Sequence, residues 1–334
     1  MSRVNIGGQA VIEGVMMKYK NRYAVAVRKP DKEIEVKLNT FTPKTEKHTI
    51  CGLPIIRGVI SFVESLVIGV KTLMYSAEFY DDEEDEKDKE KKHKKSDKKK
   101  SDNKKADANK NPDNKKSDGK SDGSLDGIEM FGTVAFSIIV AVGLFMILPA
   151  WLIGLLDGVI KSHVVLGLLE GVLRLAIFLL YVYLISKMED IKRTFMYHGA
   201  EHKTINCLEH GDELTVENVM KHSRFHKRCG TSFLFIVMFV SILVFMCITA
   251  EQMWLKLLLR VLLVPVIAGI SYEFIRYAGN HDSVIANTLS KPGLWVQRLT
   301  TSEPTPDMVE VAIRSVEAVF DWREYLAEQN KDND

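Results

Sequence analysis

The pattern of apolar and polar positions changes character several times along this chain, and its longest apolar stretches set the class of the molecule. Residues 128–156, 164–186, 232–250 and 255–275 are nearly uninterrupted apolar runs. Each is close to the roughly 20 residues that a helix needs to cross a hydrocarbon core of about 30 Å. They predict a polytopic α-helical membrane protein with about four transmembrane helices. The turns at 157–163 and 251–254 carry little positive charge, whereas the N-terminal region and residues 187–228 are rich in Lys and Arg. The positive-inside bias therefore puts both termini and the loop 187–231 in the cytoplasm. Within the runs, Glu170 and Arg174 lie one helical turn apart and are expected to pair. Pro149 and Pro265 should kink their helices and free backbone groups that neighbours must satisfy. Arg260 is expected to snorkel and Glu273 to reach cytoplasmic water.

The remaining segments have other periodicities. Residues 1–52 read as a small β-rich, glycine-containing cytoplasmic unit, with strands at 23–28 and 33–38 around a Pro30-Asp31-Lys32 turn. Glu13 reads there as a strand-edge carboxylate, and the spacing of Gly7, Gly8 and Gly14 is not that of a dinucleotide fingerprint. Residues 53–80 form a membrane-associated helix in which Arg57, Glu64 and Lys71 recur at seven-residue intervals along one stripe. A surface or packed position suits that stripe better than a crossing, which would leave Glu64 near mid-bilayer. Residues 81–127 are a tract of Lys, Asp, Glu, Asn and Ser, with too little apolar surface to offset the entropy of ordering, and read as a disordered linker. The tail 276–334 carries Trp295 and Leu299 as surface anchors, then an amphipathic helix over 308–326 capped by Thr305 or Asp307.

Charge and cysteine usage narrow the class. The formal net charge of +1 is an average over a highly charged middle, and no basic patch interleaved with aromatics supports a nucleic-acid partner. Cys51, Cys207, Cys229 and Cys247 are too few and irregular for a disulfide framework and read as reduced thiols. The partners implied are the lipid bilayer and a membrane or cytoplasmic protein.

The chemistry concentrates in the loop 187–231. In Tyr197-His198-Gly199-Ala200-Glu201-His202-Lys203, two imidazoles stand four residues apart with a carboxylate between them, and all three share one helical face. Neutral imidazoles at that spacing can hold one divalent metal while the carboxylate works as a general base. His226 and Cys229, three residues apart, form a second half-site. A straight helix continuing the second span would lift His198 about 18 Å above the membrane, so the halves meet only through a bend, for which Gly199 is the candidate. Gly211 is a C-cap and Thr215 the N-cap of a short helix ending near His222. His222 and Glu273 are reserve ligands; His210 and His281 read as surface histidines.

The stretch Gly7-Gly8-Gln9-Ala10-Val11-Ile12-Glu13-Gly14-Val15-Met16-Met17 and the HGAEH stretch, taken with Asn206-Cys207, His226 to Phe233 and Pro292-Gly293-Leu294-Trp295, closely resemble the bacterial YqhQ-like integral membrane family. That resemblance covers nearly everything but the charged linker. It implies a bacterial cell-membrane protein and brings the label of a metal-dependent enzyme, which rests on the same histidines.

Two functions follow from these residues. The first is a metal-dependent hydrolase with Zn²⁺ or another divalent metal on His198 and His202, Cys229 or His226 as third ligand, and Glu201 as general base. The second is a non-catalytic scaffold or regulator in which His198, His202, His226 and Cys229 close a structural site and the terminal units bind a protein partner. A transporter is disfavoured by four spans without a visible inverted repeat.

Overall fold

The computed structural model describes residues 4, 6–46, 49–99, 123–156, 158–248, 252–280 and 283–332. An antiparallel meander, β1 Ile6–Val11, β2 Gly14–Tyr19, β3 Arg22–Arg28 and β4 Ile34–Thr40, forms a sheet in sequence order. The β1–β2 turn is only Ile12-Glu13, and Glu13 takes a positive φ of 49°. Gly14 is required beside it, because a Cβ there would stand 2.3 Å from the Ala26 carbonyl oxygen. The expected strands at 23–28 and 33–38 are β3 and β4, with His281 and Asn5 outside the described residues.

Eleven α-helices are described. They are α1 Ile56–Lys99, α2 Gly123–Val142, α3 Leu148–Gly154, α4 His163–Ile185, α5 Glu189–His210, α6 Val216–Lys221, α7 Gly230–Met246, α8 Met253–Asn280, α9 Val284–Thr300, α10 Pro306–Val319 and α11 Trp322–Asp332. Of the tract 81–127 expected to be a linker, residues 81–99 continue α1, residues 100–122 lie outside the described residues, and residues 123–127 open α2.

The sheet is the middle layer of a three-layer unit. Val15, Met17, Ala24 and Ala26 face α5 and α10, packing with Tyr197, Ala200, Ile205, Met308, Val309 and Ala312. Val11, Met16, Val25 and Val27 face the other way, against Ile68, Tyr75, Phe79 and Tyr80 of α1. Burial on both faces explains why β2 and β3 read as apolar runs without strict alternation. The apolar face of α1 is thus divided: residues 68–80 cover the sheet, while the start crosses α8 so closely that a Cβ on Gly58 would stand 2.8 Å from the Gly269 carbonyl oxygen.

Among the described residues, four helices are long and apolar enough to cross a membrane: Ile56–Tyr80, Ala135–Gly154, His163–Ile185 and Trp254–Gly279. The expected set differs from this in two places. The run at 232–250 becomes a 17-residue helix, α7. The stretch 56–80 meets the length and composition of a span, yet its Glu64 accepts the Lys44 backbone N–H at 2.7 Å, an arrangement tied to the sheet unit. The Pro149 expectation is met in detail. Proline withdraws the N–H that would bond the Phe145 carbonyl, the preceding turn Gly143–Ile147 widens to a π-helix, and Arg174 Nε donates to that carbonyl at 2.9 Å. Glu170 pairs with Arg174 as expected, at 2.8 Å. Arg260 does not snorkel: it is buried and donates to Glu170 at 2.7 Å. Glu273 is half-buried and held by Arg57 at 2.6 Å.

Candidate metal centre

α5 is the element that assembles the site, and it is a separate helix, not a continuation of α4. The chain breaks at Ser186, Lys187 and Met188, where Met188 is extended (φ −72°, ψ 135°). That break replaces the bend expected at Gly199 and brings His198 down to the start of α7. Gly199 serves another purpose: a Cβ there would lie 2.1 Å from the Ser302 carbonyl oxygen. The segment after α9 runs directly over the helix at this residue, tied by Ser302 N–H to the Phe195 carbonyl at 2.9 Å. α5 ends at Gly211 with φ 81°, and Thr215 caps α6 by accepting the Asn218 N–H, both as the sequence indicates.

The loop from α6 to α7 is gripped carbonyl by carbonyl from one face of α5. Lys203 Nζ donates to the Met220 and His222 carbonyls, Asn206 Nδ2 to Ser223 and Phe225, and His202 Nδ1 faces the Arg224 carbonyl at 2.6 Å. From the far side, Gln297 of α9 accepts the His226 N–H at 2.9 Å and donates to the His226 carbonyl at 2.7 Å and the Ser232 hydroxyl at 2.8 Å. A buried loop must have its backbone groups satisfied in this way. These contacts fix Cys229, the N-cap of α7, whose Sγ accepts the Thr231 N–H.

One ligand atom each from His198, His202 and Cys229 lie within 4.8 Å of one another. His198 Nδ1 donates to the Thr300 carbonyl at 2.8 Å, and its Nε2 is 3.2 Å from Cys229 Sγ. With the Nδ1 atoms of both histidines facing backbone carbonyls, both Nε2 lone pairs are free to turn towards the thiol. That is the outer arrangement metal-ligating histidines ordinarily have. The donor set of two imidazoles and one thiolate suits Zn²⁺. Burial alone would push the Cys229 thiol up, but the imidazoles of His198 and His202 outweigh it and hold it well below its ordinary value. Burial would likewise lower His198, yet the Cys229 sulfur and Glu201 push it up to about 9. Each group thus favours the charged form of the other, shifting the Cys229–His198 pair towards thiolate and imidazolium.

Glu201 stands beside this cluster, with one carboxylate oxygen 4.0 Å from His198 Nε2. It is buried, and burial raises its affinity for a proton, while the two histidines oppose that. Gly8 of β1 makes room for it: a Cβ on Gly8 would lie 2.7 Å from the Glu201 carboxyl carbon. The glycine-rich opening and the HGAEH stretch thus meet at one point.

The other sequence candidates fall elsewhere. His226 gives its Nε2 to Glu209 at 3.2 Å and stands outside the three-ligand cluster. Its half-site with Cys229 is split between two environments, and Arg228 closes the Glu209 side through a short ion pair. His222 pairs with Asp212 at 2.8 Å, and Glu273 is taken by Arg57. Gln297 and Thr300 were not legible as site residues, because they act through backbone atoms of segments about 70 and 100 residues away along the chain. The PGLW motif was their only sequence signal: it lies in α9, where a Cβ on Gly293 would stand 2.8 Å from the Ser232 hydroxyl.

Comparison with known proteins gives two matches. Residues 53–322 match the family described as Protein of unknown function (DUF1385). The chain is 33% identical over 337 residues to Uncharacterized protein YqhQ of Bacillus subtilis (strain 168), covering 97% of this chain and 95% of the relative. No solved structure matches.

Proposed function

We propose that this chain, which belongs to the DUF1385 family, is a multi-pass protein of the bacterial cell membrane with a cytoplasmic divalent-metal centre of zinc type. A parity argument supports the topology. The sheet, α5 and α10 form one packed unit, so they lie on one side of the bilayer. An even number of crossings must then separate β4 from α5, and α5 from α10. The second interval holds α7 and α8, which cross as a pair. The first holds α1, the α2–α3 run and α4, of which two cross; α1 is the one that does not, because its residues 68–80 already cover the sheet. The positive-inside bias places the packed unit, and with it both termini, in the cytoplasm.

The observation that carries the metal centre is the convergence of His198, His202 and Cys229 with both Nδ1 atoms bonded to backbone carbonyls. A divalent ion held by these three would supply a Lewis acid able to polarise a carbonyl or phosphoryl oxygen. Glu201, next to the cluster but outside the three-ligand group, is positioned to take up and return a proton as general base. That is the hydrolase reading. Burial favours a second: Glu201 and His202 are 5% and 1% exposed. Glu201 would then join as fourth ligand and close a structural centre in a scaffold protein.

Optical absorption of the Co²⁺-loaded, detergent-purified protein tests the proposal. The three-ligand centre gives a sulfur-to-cobalt charge-transfer band that Cys229→Ser abolishes, and ligand-field bands that Glu201→Gln leaves in place. Ligand-field bands displaced by Glu201→Gln select the closed centre, and a protein that takes up no cobalt overturns both readings.

A further inference from the structure

The break between α4 and α5 that brings the metal centre together also opens a cavity of about 340 Å³ beside the C-terminal end of α9. Lys187, Lys192 and Arg298 line it together with the Tyr183 and Ser302 side chains, and no acidic side chain is among its lining residues. Glu189 and Asp190 open α5 nearby without lining it, and Glu303, beyond Ser302, is engaged by Lys203 at 3.0 Å. A second cavity, of about 510 Å³, lies on the other side of Arg298, walled by Phe225, Pro292, Leu294 and Trp295 with Lys291 at its edge. Thr288, Lys291, Trp295 and Arg298 form the exposed stripe of α9, the composition of a helix lying in a membrane interface. Tyr183 and Leu184, exposed at the end of α4, mark the same level.

We propose that this junction of α4, α5 and α9 binds an anionic phospholipid. The phosphate sits among Lys187, Lys192 and Arg298, and the upper acyl chain lies against Leu294 and Trp295. Three cations without a lining carboxylate suit a phosphodiester anion. A cationic cavity of mixed polarity, with Phe195 and Leu299 also in its lining, and an apolar one sharing the same arginine suit an amphiphile better than free phosphate. The inference rests on the topology proposed above, which puts the end of α4 at the cytoplasmic surface, and it is independent of the metal centre.

The test is native mass spectrometry of the full-length, delipidated protein titrated with dioleoyl phosphatidylglycerol or dioleoyl phosphatidylcholine. Phosphatidylglycerol is expected to bind preferentially, and each of Lys192→Gln and Arg298→Gln to weaken it about fivefold, the effect of removing one cation at an anionic surface. Arg298→Lys retains most of the affinity, and Lys221→Gln, at an exposed position of α6, retains all of it. Equal binding of phosphatidylcholine, or unchanged affinity in both glutamine variants, overturns the proposal. Displacement of the lipid by millimolar inorganic phosphate also overturns it, since the site would then serve a soluble anion. Labelling of Lys187→Cys by an impermeant thiol reagent in inverted against right-side-out vesicles, referenced to wild type, reports separately on the topology. Metal content measured on the same samples separates failure here from failure of the metal centre.

Discussion

Gly199→Ala tests the packing of the site against a rule that predicts the opposite sign. In an open helix, replacing glycine by alanine stabilises by about 1 kcal/mol. Here the new Cβ would stand 2.1 Å from the Ser302 carbonyl oxygen and 3.2 Å from its carbonyl carbon, both backbone atoms that cannot rotate away. The segment after α9 must lift, which breaks the Ser302–Phe195 hydrogen bond and strains the one from His198 to Thr300. Overpacking costs about 1–3 kcal/mol and each lost hydrogen bond about 1 kcal/mol. Against the propensity gain, the balance is a net loss of roughly 1–3 kcal/mol. Losing the Thr300 partner that orients His198 should also weaken metal binding about 10–100-fold. Gly132→Ala in α2, where a Cβ meets nothing within 4 Å, is the control and should be neutral or stabilising. The assays are thermal unfolding in detergent and competitive metal titration. A Gly199→Ala protein as stable as the control, with unchanged metal affinity, would refute the reasoning.

Gln297→Leu removes three buried hydrogen bonds and strands the His226 N–H and carbonyl; the expected loss is about 2–4 kcal/mol by denaturant titration. Burial, with Asp212 adding to it, pushes the Cys207 thiol up to about 12, from an ordinary value of 9.0. The folded state therefore holds a proton that the unfolded state releases, so stability should fall as pH rises above about 9. Cys207→Ala should flatten that slope in unfolding measured from pH 8 to 10. Metal that binds only the folded state should raise the unfolding free energy by about 4 kcal/mol at a thousandfold excess over Kd, a gain that a chelator reverses.

Much of this arrangement is legible in the sequence, and what is not has identifiable causes. The strands, the Gly211 and Thr215 caps and the Glu170–Arg174 pair follow from local spacing, because their partners lie within a few residues. The HGAEH face and Cys229 are visible as types and spacings. What selects Cys229 over His226 as the third partner is tertiary: Glu209, about two turns beyond His202 on α5 and otherwise unremarked, takes His226. The packed position of 56–80 was legible in its Arg57, Glu64 and Lys71 stripe, although its apolar residues also satisfy the composition of a span; that Ile68 and Phe79 cover a sheet was not. Arg260 reads as a snorkelling residue until Glu170, 90 residues earlier in the chain, is seen to face it.

The most direct measurement is metal content by mass spectrometry on full-length protein purified in detergent without chelators. One divalent ion per chain is expected, lost in His198→Ala, His202→Ala and Cys229→Ser and kept in His226→Ala. A wild-type protein without metal, or one whose metal survives Cys229→Ser and is lost in His226→Ala, would contradict it.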